Sequence, residues 1–135
     1  FTARIPEIQK AWLHKADEDM QLAEHLLGEG VPYRAAIAFH SQQAAEKYLK
    51  ACLVHHQREF GKTHDLTRLA NLVHECDPDV AEAIQGVDEL NPYAVETRYP
   101  GDYPEVSADD AHHAVQLART TGEAVRTAVR TPEGM

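Results

Sequence analysis

Two cysteines, one tryptophan and a shortage of positive charge mark this 135-residue chain. Two thiols cannot build a disulfide framework or a four-cysteine metal site. Cys52 and Cys76 each fall inside an apolar helical pattern, with no cysteine or histidine partner at metal-ligand spacing, and read as buried thiols. No apolar run approaches the roughly 18 residues of a membrane span. The opening Phe1-Thr2-Ala3-Arg4 lacks the basic-then-apolar pattern of a secretory leader. A cytoplasmic protein without a membrane partner is the expectation.

Strand signals are absent too: no segment alternates apolar and polar residues for long. A phosphate-cradling loop is missing, because Gly28-Glu29-Gly30 lacks both a third glycine and a preceding strand. The neighbouring pairs His55-His56 and His112-His113 would point about 100° apart on a helix, poor geometry for joint metal ligation. Neither a metal nor a cofactor is expected, and no serine–histidine–acid set stands out. With 13 basic against 22 acidic residues the net charge is −9, which excludes nonspecific nucleic-acid binding over the whole surface. The basic residues are uneven, however. Lys47, Lys50, Arg58, Lys62 and Arg68 fall within residues 47–68, interspersed with His55, His56 and His64 and opposed by only Glu59 and Asp65. That clustering fits a local basic face or a chance fluctuation equally well.

What is present is helical periodicity along a single domain, residues 1–135. Pro6 suits a first turn, and Ile8, Trp12, Ala16, Ala23, Leu26 and Leu27 recur at helical spacing up to Gly28 and Gly30. Pro32 opens a second helix, expected at about 25 residues to be the longest, whose stripe runs through Ala35, Ala36, Phe39, Ala44, Tyr48, Ala51 and Cys52 to about His56. Thr63 is the expected cap of a shorter helix carrying Leu66, Leu69, Ala70 and Val73. Asp77-Pro78 starts a fourth, expected to run through Val80, Ala83, Ile84, Val87 and Leu90 to Asn91-Pro92. Residues 97–104 read as a loop. Ser107 and Asp110 form a capping arrangement for a last helix to about Arg130, with residues 131–135 frayed. The expected fold is all-α: an up-and-down antiparallel bundle of four main helices plus a short one.

Three groups of residues could carry chemistry. Gln43, Glu46, Lys47 and Lys50 are spaced three or four apart and share a helix face. They form either a solvated surface with a Glu46–Lys50 pair or a polar strip lining a groove or subunit interface. His64 and Asp65 sit where the third helix begins. Asp65 suits the positive helix end, and His64 could stand at the mouth of a cleft, able to exchange a proton. Arg98-Tyr99-Pro100, with Tyr103, offers a phosphate anchor and stacking surfaces, or else a loop that packs over the bundle end.

Taken in order, these residues resemble a known family. Trp12 and Ala16 precede Gly30-Val31-Pro32-Tyr33-Arg34-Ala35-Ala36. Phe39 leads into Gln42-Gln43-Ala44-Ala45-Glu46-Lys47-Tyr48-Leu49-Lys50-Ala51, followed by Lys62-Thr63-His64-Asp65-Leu66, Tyr93 and Arg98-Tyr99-Pro100. The series is similar to the small prokaryotic HEPN-domain proteins over nearly the whole chain. The resemblance implies a helical bundle that forms a homodimer. It also implies a minimal nucleotidyltransferase as gene partner, in a toxin–antitoxin-like or nucleotide-linked pair. Many members are metal-independent ribonucleases marked by an arginine and a histidine separated by four to six residues. The histidine then serves a ribose oxygen and the arginine the phosphate.

That spacing occurs here at Arg34–His40, Arg58–His64 and Arg68–His74, in a chain with nine histidines. None of the three lies near the late helix where ribonuclease members carry theirs. The leading expectation is therefore a noncatalytic, nucleotide- or RNA-interacting protein. Gln43, Glu46, Lys47, Lys50 and Asp65 would line its cleft, His64 and Arg98 would contact phosphate, and Tyr99 would shape the pocket. The alternatives are a metal-independent endoribonuclease, with His64 as acid/base and Arg58 or Arg98 as anchor, and a dimeric module for protein contacts alone.

Overall fold

A computed structural model describes residues 4–29, 33–95 and 105–130. The expected loop at 97–104, including Arg98, Tyr99, Pro100 and Tyr103, lies outside them, as does the tail at 131–135. Five α-helices follow in chain order among the described residues: α1 (Ile5–Glu29), α2 (Arg34–His55), α3 (Leu66–Cys76), α4 (Pro78–Ala83) and α5 (Ala108–Arg130), with a 3-10 segment (Val87–Tyr93) between α4 and α5. No strand occurs among the described residues. The all-α bundle expected from periodicity is the fold observed.

The second helix is the axis of the molecule. It packs along both α1 and α5 and touches α3 and the 3-10 segment. Thirteen of its 22 residues are buried, so its apolar stripe is really a nearly closed cylinder. Small side chains make this possible. Ala38, Ala44, Ala45 and Ala51 are fully enclosed, letting neighbouring backbones come close, while Leu49 and Leu53 fill the gaps. Burying each of those leucines contributes about 1.5–3 kcal/mol. A close approach occurs at Gly122 of α5, where a Cβ would stand 2.8 Å from the Tyr48 ring.

Three seams tie α2 to its neighbours. Tyr48 donates its hydroxyl to Asp17 of α1 at 2.7 Å, and Arg126 of α5 pairs with the same carboxylate. One Asp17 side chain thus joins three helices. Asp19 takes Lys47 on one oxygen and His40 on the other, the latter at 2.9 Å. At the far end, Gln9 Oε1 is 3.1 Å from His55 Nδ1.

Local chemistry explains where the elements begin, and where expectation and structure part. Ser107 and Asp110 form a reciprocal box: each backbone N–H donates to the other's side-chain oxygen, at 3.0 and 2.9 Å. Asp77 caps α4 by accepting the Val80 N–H at 3.1 Å, with Pro78 in the first turn. The cap of α3 is Asp65 rather than Thr63, since Asp65 Oδ1 accepts the Thr67 N–H at 2.9 Å. Thr63 instead accepts the Asp65 N–H at 3.1 Å, one step earlier. The fourth helix stops at Ala83, well short of Asn91. Gly86 takes φ +92°, which an α-helix cannot accommodate, and the chain resumes as a 3-10 segment that still buries Val87 and Leu90. The longest helix is α1, with 25 residues. Ile8, expected on its apolar stripe, is 41% exposed.

Candidate functional site

Polar residues enter the core along one line of α2. Gln42, Glu46 and Lys50 follow one another at four-residue intervals, and all three are buried. Gln43 Nε2 donates to Gln42 Oε1 at 2.7 Å, Gln42 Nε2 reaches Glu46 Oε1 at 3.5 Å, and Lys50 Nζ donates to Glu46 Oε2 at 3.1 Å. Two opposite charges inside a core are tolerable only when paired and hydrogen-bonded. The far side of the Lys50 ammonium meets aromatic rings, 5.2 Å from the centre of Trp12 and 5.6 Å from that of Phe60. Those two rings pack edge to face, 6.2 Å apart. Their negative faces suit a cation.

Glu46 has a further partner outside. His64 Nδ1 lies 3.0 Å from Oε2, although the histidine side chain is 74% exposed and the glutamate only 4%. The pair therefore crosses the protein surface: carboxylate within, imidazole without. An ionised carboxylate only accepts, so Nδ1 carries the proton and donates it to Glu46. The Nε2 atom has no partner among the described residues. It is an acceptor in the neutral ring and a donor in the charged one. Such a histidine can hydrogen-bond an anionic oxygen or pass a proton, held in one orientation by a buried carboxylate.

The loop that presents His64 is fastened from behind. Asn91 of the 3-10 segment accepts the Leu66 N–H at 2.9 Å on Oδ1 and donates through Nδ2 to Asp65 Oδ1 at 3.2 Å and Thr67 Oγ1 at 3.1 Å. Asp65 thus serves as helix cap and as acceptor for this clamp. Beyond it, an open depression on α3 is lined by Asp65, Thr67, Arg68, Asn71, Leu72 and Glu75.

Of the residues singled out in the sequence, the structure brings Glu46, Lys50 and His64 into one cluster, with Gln43 attached through Gln42. Lys47 turns instead to Asp19 of α1, whose other oxygen is held by His40. Glu46 and Lys50 are buried, and the exposed His64 carries the cluster outward. Arg98 and Tyr99 lie outside the described residues. Residues not singled out include Gln42, whose place one turn before Glu46 was the available signal. Asn91, which reads in sequence as a helix stop, gave none. Trp12 and Phe60 become part of the site only through tertiary packing.

Two of the three arginine–histidine spacings have a member engaged elsewhere. Arg58 donates to Glu75 at 2.6 Å while His64 holds Glu46. His40 is tied to Asp19. Arg68 and His74 are both exposed on α3. One grouping departs from the sequence reading. Cys52 has His56 one helical turn later, and Asp77 lies against both; their ligand atoms fall within 4.8 Å of one another. Burial pushes the Cys52 thiol up to about 12, with Asp77 and Cys76 adding to the effect.

Comparison with known proteins follows the same lines. The HEPN domain family matches residues 9–127. The chain belongs to the HEPN family. Its backbone is similar to ST0689, an archaeal HEPN homologue, with a TM-score of 0.68 at 23% identity over 90% of this chain and 97% of that one. It is equally similar to TT1696 from Thermus thermophilus, with a TM-score of 0.68 at 25% identity over 88% of this chain and 96% of that one. No curated protein matches the chain. This HEPN domain therefore has the family's fold, and no helix among its described residues is long and apolar enough to cross a membrane.

Proposed function

We propose that this HEPN protein binds a nucleotide or RNA without cleaving it, with His64, its ring charged in the complex, donating through Nε2 to a phosphate. The observation that carries the reading is the buried Glu46–Lys50 pair holding an otherwise exposed imidazole by its Nδ1. Maintaining an ion pair in a core costs desolvation, and here it orients one surface histidine. Arg98 and Tyr99 would supply the phosphate anchor and stacking surface. The protein would act as a homodimer paired with a minimal nucleotidyltransferase, as its family membership suggests.

A charge-assisted hydrogen bond contributes about 1.5–3 kcal/mol. His64→Ala is therefore expected to weaken binding roughly ten- to a hundred-fold. Calorimetric titration with a nucleotide panel and with single-stranded RNA reads this directly. Binding unaffected by His64→Ala, or no binding of either ligand class, would contradict the proposal.

A second reading, a metal-independent endoribonuclease, is favoured by one feature. With the proton fixed on Nδ1, a neutral His64 presents Nε2 as the base that a ribose hydroxyl requires. A mixed RNA pool incubated with chelator separates the two. Cleavage by the wild type, lost in a His64→Ala, Arg98→Ala double variant, would favour the nuclease; intact RNA throughout leaves binding ahead.

A further inference from the structure

At the end of α2 remote from its entry, a second group of side chains converges that the His64 cluster does not use. Cys52 is fully buried, and His56, four residues on, is the residue that closes α2, its N–H donating to the Cys52 carbonyl at 3.1 Å. A four-residue step on a helix puts both side chains on one face. Asp77 approaches from the junction of α3 and α4. Its backbone N–H donates to Val73 at 2.7 Å, ending α3, and its Oδ1 accepts the Val80 N–H at 3.1 Å, starting α4. With one oxygen so occupied, the other is directed at His56 Nε2, 2.8 Å away.

Sulfur, nitrogen and oxygen donors from three fixed backbone positions all lie within 4.8 Å of one another. A tetrahedral zinc with bonds of about 2.0–2.3 Å holds its ligand atoms about 3.4–3.6 Å apart. The present spacing brackets that value. An ion entering between His56 and Asp77 would spread their 2.8 Å contact by several tenths of an ångström, within the reach of side-chain adjustment. The donor set also selects the ion. A thiolate with an imidazole favours a borderline-soft transition metal over magnesium or calcium, which take oxygen. The charges balance as well: a thiolate and a carboxylate neutralise a dication, and the imidazole binds neutral, so the half-buried site gains no net charge. The Val80 N–H on Asp77 Oδ1 supplies the outer support that fixes such a ligand.

We propose that Cys52, His56 and Asp77 form a binding site for a divalent transition-metal ion of the zinc class. Binding replaces the His56–Asp77 hydrogen bond with two metal bonds through Nε2 and Oδ2. It forms a third to Cys52 Sγ, whose proton leaves to solvent, and a water completes the tetrahedron. The ion staples the end of α2 to the α3–α4 junction. The site is separate from His64 and does not depend on what His64 binds.

The test is optical. Chelator-treated, desalted protein kept under a phosphine reductant is titrated with cobalt(II). Wild type is expected to develop sulfur-to-cobalt charge-transfer absorption and the strong visible bands of tetrahedral cobalt. These should saturate at one ion per chain and be abolished by zinc, which should raise Tm by several degrees. Cys52→Ala should lose the charge-transfer band. His56→Gln and Asp77→Asn, the latter keeping an oxygen for the α4 cap, should each weaken affinity at least tenfold while circular dichroism shows the helices retained. His112→Gln, at an exposed histidine of α5 outside the cluster, should titrate as wild type does. The proposal is overturned if wild type gives no thiolate band, if the band survives Cys52→Ala, or if cobalt affinity is unchanged in both His56→Gln and Asp77→Asn.

Discussion

Glu46 and Lys50 are the residues on which stability and the surface site both depend. Each is nearly fully enclosed, and their ion pair spans a single helical turn. Removing one partner strands the other charge in the core, so Glu46→Leu and Lys50→Met are each expected to cost about 3–5 kcal/mol. The double variant, which replaces the pair with apolar side chains, should recover much of that loss. Denaturant unfolding of all four proteins checks it. Simple additivity of the two single losses would mean that the charges are not coupled.

Tyr48 makes a second residue-level prediction. Burial, followed by its hydrogen bond to the Asp17 carboxylate, raises its phenol well above the usual value near 10. A group whose folded pKa is raised contributes stability that is present in full below its unfolded pKa and is lost as pH rises through the folded one. Stability should therefore fall above about pH 10, and Tyr48→Phe should remove that part of the fall. An unchanged alkaline profile in Tyr48→Phe would contradict it.

At the scale of elements, the contact between α2 and α5 is set by Gly122. An added methyl would meet the Tyr48 ring at 2.8 Å, and that ring is held from the other side by Asp17. Gly122→Ala should destabilise by about 1–3 kcal/mol through overpacking, against the usual gain of placing alanine in a helix. A Tm at or above wild type would show that the two helices can separate freely.

The same elements show what was legible in the sequence. The starts of α4 and α5 could be read because Asp77-Pro78 and Ser107 with Asp110 are local signals, complete within four residues. The break after Ala83 was harder, since Val80, Ala83, Ile84, Val87 and Leu90 keep an apolar periodicity that both an α-helix and a 3-10 segment satisfy. Gly86 was the only mark of the change. The polar line on α2 was visible as Gln43, Glu46, Lys47 and Lys50, but periodicity alone could not say which of them point inward. Glu46 and Lys50 are buried because Trp12, Phe60 and His64 arrive from elsewhere in the chain, and Lys47 is drawn to Asp19 on α1. Cys52 and His56 are close in sequence, yet Asp77, the group that makes them a cluster, is brought by tertiary structure.

For the whole molecule, net charge and architecture point the same way. A chain of net charge −9 repels nucleic acid over most of its surface, so an anionic ligand must be met at a local spot, which we propose is His64. The family fold, together with the commonness of two-fold pairing, leads us to expect a homodimer. Light scattering at micromolar concentration should return twice the 15.1 kDa chain mass. The chain mass itself would rule the dimer out.

The central claim is that a buried carboxylate fixes His64 with Nε2 facing an anionic ligand. Nitrogen-15 NMR of the imidazole tests it most directly. In the free protein with a neutral ring, the proton should reside on Nδ1, and titration with RNA or nucleotide should move the Nε2 resonance most. A proton found on Nε2, with no His64 resonance shifting at saturating ligand, would contradict it.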